Sequence, residues 1–335
     1  MSYSFPNKYI IDDYRTIKDF KKKTIGGYQK SQVLSTLQKN INAGKIEEGC
    51  HWLAEAIVSG YIPEIWDRIL QWSCQLINVQ NPYLPSRIFN RYQQYIQLIT
   101  QERYQGENII HIRNEPECRH HLSELITILA LSPKKNKLKG LVKIIQEDFL
   151  IERFKNKLQN TNSNLIKKLT TLEDSNEVQL AANELAYYLQ ESHKDINNCL
   201  YWLSWMLEWE KKVIKKFKYF NCGVRERQQV NSKYFRDMIW LIWDVVLQEL
   251  NYRHDSFLEK QIHSLYTMYR FNYTTGNKKK RQPLLIFSIT LLTTSCNKEQ
   301  TLPRPDILIQ INSKINLMFS NYKKIEIPSG VAKAK

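Results

Sequence analysis

Residues 33–60 read VLSTLQKNINAGKIEEGCHWLAEAIVSG. Val33, Leu34, Leu37 and Ile41 recur at the spacing that places side chains on one face of a helix. Asn42-Ala43-Gly44 closes that helix, since glycine readily takes the left-handed backbone past a helix end. Ile46, Cys50, Leu53, Ala54, Ile57 and Val58 then mark the apolar face of a second helix, ended by Ser59-Gly60. Two amphipathic helices joined by a short polar connector form a helical hairpin, and that pattern sets the fold class.

The same rhythm continues outward. Gly26-Gly27 breaks the chain before the hairpin, and residues 1–24 read as a polar N-terminal arm. Pro63 suits the first turn of a third helix carrying Ile65, Trp66, Ile69 and Leu70. Asn81-Pro82 stops it, and Ser86 is expected to cap a fourth helix through Ile99. Residues 101–121 read as an irregular connector, followed by a short apolar helix over 122–131 that Pro133 ends. Further helices are expected near 178–189, 200–209, 235–250, 262–271, 284–292 and 306–320, with a loop over 302–305. The expectation is an all-α fold, either two helical domains or one elongated helical array. Its divisions are an arm (1–24), a helical domain (25–133), a basic linker (134–172) and a second helical domain with a basic loop (173–335). Residues 178–208 echo residues 33–60, with a helix, a polar connector and a helix bearing Leu200-Tyr201-Trp202-Leu203.

Composition agrees with a packed helical chain. Of 335 residues, 42% are hydrophobic and 12% aromatic, too many for a disordered segment. Only 10 Gly and 10 Pro argue against an all-β sandwich, which needs a turn every few residues. The cysteines (Cys50, Cys74, Cys118, Cys199, Cys222 and Cys296) are scattered without paired spacing, and residues 1–9 carry no secretory signal. Free thiols in an intracellular, reducing compartment are therefore expected. The longest apolar run, LLIFSITLL over 284–292, is about half a bilayer span, so no membrane partner is expected.

Charge gives the main functional cue. Lys plus Arg number 49 against 33 Asp plus Glu, a net charge of +16. A surplus this large favours polyanions, because lysines that neutralise phosphates release condensed counterions. It is clustered at 21–23, in KKNKLK (134–139), in KKVIKKFK (211–218) and in KKKR (278–281). The last run lies between Gly276 and Pro283 and reads as an exposed loop that would also suit a nuclear import signal. Lys215, Lys216, Lys218, Lys278, Lys279, Lys280 and Arg281 are the candidate phosphate contacts, with DNA the expected ligand. No helix-turn-helix or zinc-finger pattern supports reading of base sequence.

Catalytic and cofactor signals are absent from the sequence. It contains no G-x-x-x-x-G-K-[ST], G-x-G-x-x-G, G-x-S-x-G or H-E-x-x-H stretch. Cys118-Arg119-His120-His121 has no companion pair that would complete a zinc site, and is expected in a partly exposed connector. Cys50 and His51 are neighbours that point apart on a helix, which disfavours a nucleophile–base pair. The expectation is a non-enzymatic protein without metal or cofactor. An enzyme assembled from distant residues is the weakest alternative. The tryptophans at 52, 66, 72, 202, 205, 209, 240 and 243 read as helix packing in preference to base stacking.

One stretch also resembles a known family. Residues 33–82 carry Gln38-Lys39, Gly44 to Glu48, Trp52-Leu53-Ala54, Gly60, Arg68-Ile69-Leu70, Ser73 and Asn81-Pro82. In that order they resemble the C-terminal helical, oligomerising region of the MgsA, RarA and Werner-helicase-interacting family of clamp-loader-like AAA+ ATPases. The family's acidic pair after the serine is replaced by Cys74-Gln75, and the run to the proline is one residue longer. Only 32 residues precede the stretch, so the family's ATPase core is missing and a separate ATPase partner is implied. The resemblance implies an oligomeric collar or adaptor in DNA replication or repair. Frequent Asn, Ile and Lys suggest an AT-rich genome, which together with the lone collar points to a large DNA virus. Location would then be the nucleus or a cytoplasmic viral factory. The alternative is a structural or packaging protein of the virion that uses the same basic surface.

Overall fold

Gly44, at φ +70°, ends the first helix with its N–H on the Ile41 carbonyl, and the chain reverses there as its sequence requires. The computed structural model describes residues 10–160, 164–220, 222–298 and 305–325. The described residues are all-α, without a β-strand and with one isolated antiparallel bridge between Lys23 and Gln29. The helices are α1 (Lys30–Asn42), α2 (Ile46–Val58), α3 (Ile62–Trp72), α4 (Leu84–Ile99), α5 (Pro116–Leu131), α6 (Ile151–Lys157), α7 (Asn176–Leu189), α8 (Ile196–Phe217), α9 (Ile239–Arg253), α10 (Ser256–Arg270), α11 (Thr275–Thr293) and α12 (Pro305–Ile325).

The described residues form two compact units, the first from those within 10–77, 87–135 and 305–325, the second from those within 78–86 and 136–298. In the first unit, α1 buries Val33, Leu34, Leu37 and Ile41 against α2. Helix α2 is the central element, packing on α1, α5 and α12. Gly26 is needed beside it: a Cβ there would meet the Glu55 carboxylate at 2.9 Å, the group that accepts the Gly26 N–H. Residues 10–24 of the expected arm are not a detached tail. Ile11 and Phe20 are buried, and the Asn114 side chain bonds both the N–H and the carbonyl of Ile11. Helix α12 also belongs to this unit, with Ile311, Ile315 and Phe319 buried, although the sequence reading placed it in the second domain.

The second unit is built on the α7–α8 hairpin, its most extensive helix–helix interface, as α1–α2 is of the first. Ser175 caps α7, and Asp195 caps α8 by accepting the N–H groups of Asn197 and Asn198 at 2.9 and 3.1 Å. Helix α9 lies on α7, and α11 packs on α8, α9 and α10. Much of the expected linker is built into this unit: α6 presents Phe154 to Trp202 and Trp205 at ring distances of 5.6 and 4.8 Å.

Three local expectations are corrected. Residues 101–121 are not irregular throughout. Gly106–Asn114 forms 3-10 turns, and α5 starts at Pro116, so Cys118 and Arg119 are buried helical residues. Ser86 is inside α4 rather than capping it, its hydroxyl donating to the Tyr83 carbonyl. The run 278–281 is helix, not loop, because α11 passes through Pro283. Thr274 caps α11, and contacts from Lys278 and Arg281 to the neighbouring helices hold its first turns against the cost of the proline. Residues 1–9 of the arm and 302–304 of the loop before α12 lie outside the described residues.

Candidate nucleic-acid interface

Helix α8 changes character along its length. Its first half is core: Cys199, Leu200, Trp202, Leu203, Trp205, Met206 and Leu207 are buried. From Lys211 onward it carries Lys-Lys-Val-Ile-Lys-Lys-Phe, and every lysine there is exposed. An aromatic ladder leads from the buried half to the basic half. Trp205 and Trp209 stack at 5.3 Å and 12°, and Phe149 lies against them at 5.5 and 5.7 Å. The Trp205 indole N–H donates to the Asp148 carbonyl at 3.0 Å, fixing the ladder. Lys212 Nζ closes it, 4.3 Å from the Phe149 centroid and 5.8 Å from that of Trp209.

The seven sequence-selected residues do not share one environment. Lys215, Lys216 and Lys218 are exposed at the end of α8, and Lys279 and Lys280 are exposed on the first turns of α11. Lys278 points inward and pairs with buried Glu210, which also accepts the Met238 N–H at 3.2 Å. Arg281 is buried and donates to the carbonyls of Tyr269 and Phe271, which end α10. These two side chains hold helices together and are not available to a phosphate on the surface.

The Lys278–Glu210 pair also joins the two basic runs. Glu210 immediately precedes Lys211, so the first turns of α11 sit beside the point where α8 becomes basic. Lys211 is offset by Glu208 at 2.5 Å. Lys212, Lys215, Lys216, Lys218, Lys279 and Lys280 have no carboxylate within ion-pairing distance among the described residues. Lys215 and Lys216 occupy the last turn, where the helix dipole stabilises each by roughly 0.3–1 kcal/mol. Their charge still faces water.

Sequence reasoning missed Lys212 as a site residue, and it assigned all the tryptophans to packing. Trp66, Trp72, Trp202, Trp205, Trp240 and Trp243 are buried, whereas Trp209 and Trp52 are half-buried. The interleaving of rings and lysines in KKFKYF (215–220) was the available signal for the surface.

Other chemistry-bearing groups are differently placed. Burial pushes the thiols of Cys50, Cys74, Cys118 and Cys222 up to about 12, so they are unreactive thiols at neutral pH. Burial, then the charge of Arg91, lowers His121 to about 4, and it lies 3.1 Å from Arg91 Nη1 as a neutral ring. Among the described residues no three His, Cys, Asp or Glu side chains are arranged to hold a metal ion, and no helix is long and apolar enough to cross a membrane. No family model matches the chain, and neither a curated protein nor a solved structure matches it.

Proposed function

We propose that the protein is a nucleic-acid-associated helical protein that binds DNA through the end of α8 and the first turns of α11. One observation carries this reading: two basic runs joined by the Lys278–Glu210 pair expose six lysines that have no carboxylate partner among the described residues, in a chain of net charge +16. A lysine already paired to a carboxylate gains little from a phosphate, whereas these each release counterions on contact. The resemblance of residues 33–82 to the AAA+ collar supports a setting in replication or repair. On that reading the chain self-associates through its collar-like stretch, and a separate partner supplies ATPase activity.

The test is fluorescence anisotropy with labelled duplex, forked and single-stranded DNA at two salt concentrations. Binding should weaken with salt, and each alanine substitution at Lys215, Lys216 or Lys218 should lower the salt slope by about one. Absence of binding to every DNA, or an unchanged slope in the triple variant, overturns the proposal.

A further inference from the structure

The basic end of α8 carries more than charge. Phe217 is 52% exposed and Tyr219 68% exposed, and they alternate with Lys216 and Lys218 in the sequence. Phenylalanine is a residue usually buried, and two open rings within three positions are not accounted for by packing. The Phe217 ring is positioned by a neighbour. Lys216 Nζ sits 4.9 Å from the Phe217 centroid, holding that ring on one side while half its surface stays open. Lys218 ends the helix in the left-handed conformation, at φ 68°, with its N–H on the Ile214 carbonyl at 2.8 Å. Tyr219 directly follows that helix end, exposed and adjacent in the chain to Lys218.

Resting on the nucleic-acid reading above, we infer that this end of α8 is a stacking platform for single-stranded nucleic acid. Lysines alone serve duplex and single strand alike, since both present phosphates. An exposed ring discriminates, because the faces of duplex bases are already stacked on one another and only unpaired bases offer a free π-face. Phe217 and Tyr219 stack on bases while Lys212, Lys215, Lys216 and Lys218 follow the backbone. Glu208, the acidic group on this part of α8 that faces solvent, is occupied by Lys211 and does not oppose the strand.

The experiment compares a labelled oligothymidylate with a duplex of equal length, using the wild-type chain and two double variants. Phe217→Ala with Tyr219→Ala removes the rings; Phe217→Leu with Tyr219→Leu keeps apolar bulk without a π-face. Both sites are exposed, so helicity should be unchanged by circular dichroism. The expected result is tighter wild-type binding to oligothymidylate, lost by roughly 30-fold or more in both variants, with duplex affinity and salt slope unchanged. If the variants bind oligothymidylate as the wild type does, the platform is overturned while the lysine-based reading stands. Equal losses on both DNAs also overturn it, because rings that only support the lysines would act that way. If the wild type binds neither DNA, the nucleic-acid reading itself fails.

Discussion

Asp174 shows how one side chain organises the second unit. Arg225 donates to both of its oxygens, at 2.7 and 3.2 Å, and the Gly223 N–H and the Cys222 thiol each donate to Oδ1 at 2.9 Å. Burial opposes its ionisation, but the bonds from Arg225, Cys222 and Gly223 outweigh that and hold the carboxyl at about 2. A carboxyl lowered from 3.8 stabilises the fold fully above its unfolded value, and that stabilisation is lost as pH falls through the folded one. The pair should therefore contribute about 2–3 kcal/mol at neutral pH, lost between about pH 5 and pH 2. Asp174→Asn should cost about 3 kcal/mol at pH 7 by leaving buried Arg225 with only its longer pair to Asp244, 3.5 Å away, and should flatten the acid limb. Urea midpoints across this range check both, and parallel pH profiles for the two proteins would contradict the assignment. Lys218 is a second case, because a side chain in the left-handed region is strained where glycine is not. Lys218→Gly should raise stability by roughly 0.5–1 kcal/mol while lowering the DNA salt slope by about one.

At the scale of elements, α11 separates charge that binds from charge that builds. Its sequence, TGNKKKRQP, reads as a loop by local rules, because a glycine, an asparagine and a proline surround a run of like charges. The helix forms because Lys278 and Arg281 find acceptors on α8 and at the end of α10. Lys278→Ala should therefore cost about 2–4 kcal/mol, since it strands Glu210 in the core, and should leave the DNA salt slope unchanged. Lys279→Ala and Lys280→Ala should show the reverse, with stability unchanged and a slope lower by about one each. Thermal melts combined with anisotropy distinguish the two classes, and a slope change in the Lys278 variant would return that residue to the interface.

At the scale of the whole molecule, α12 belongs to the unit that opens the chain. Phe319 is fully buried there, with the Arg119 guanidinium 3.7 Å from its ring centroid, and burial lowers Arg119 to about 9. Phe319→Ala should cost about 3–5 kcal/mol and accelerate amide hydrogen exchange in α1, α2 and α5. Exchange in α7, α8 and α9 should stay at the wild-type rate, and faster exchange there would contradict the division into units. The all-α class and the two helical hairpins were legible locally, because 3.6-residue apolar periodicity and a glycine helix end such as Gly44 act within a few positions. The acid that occupies Lys278 lies 68 residues away, and Phe319 meets Arg119 from the far end of the chain. Which lysines remain free, and which unit receives the last helix, were decided only by tertiary structure. Such pairings are set by where helices pack, and a local sequence pattern carries no information about a partner that folding brings from elsewhere.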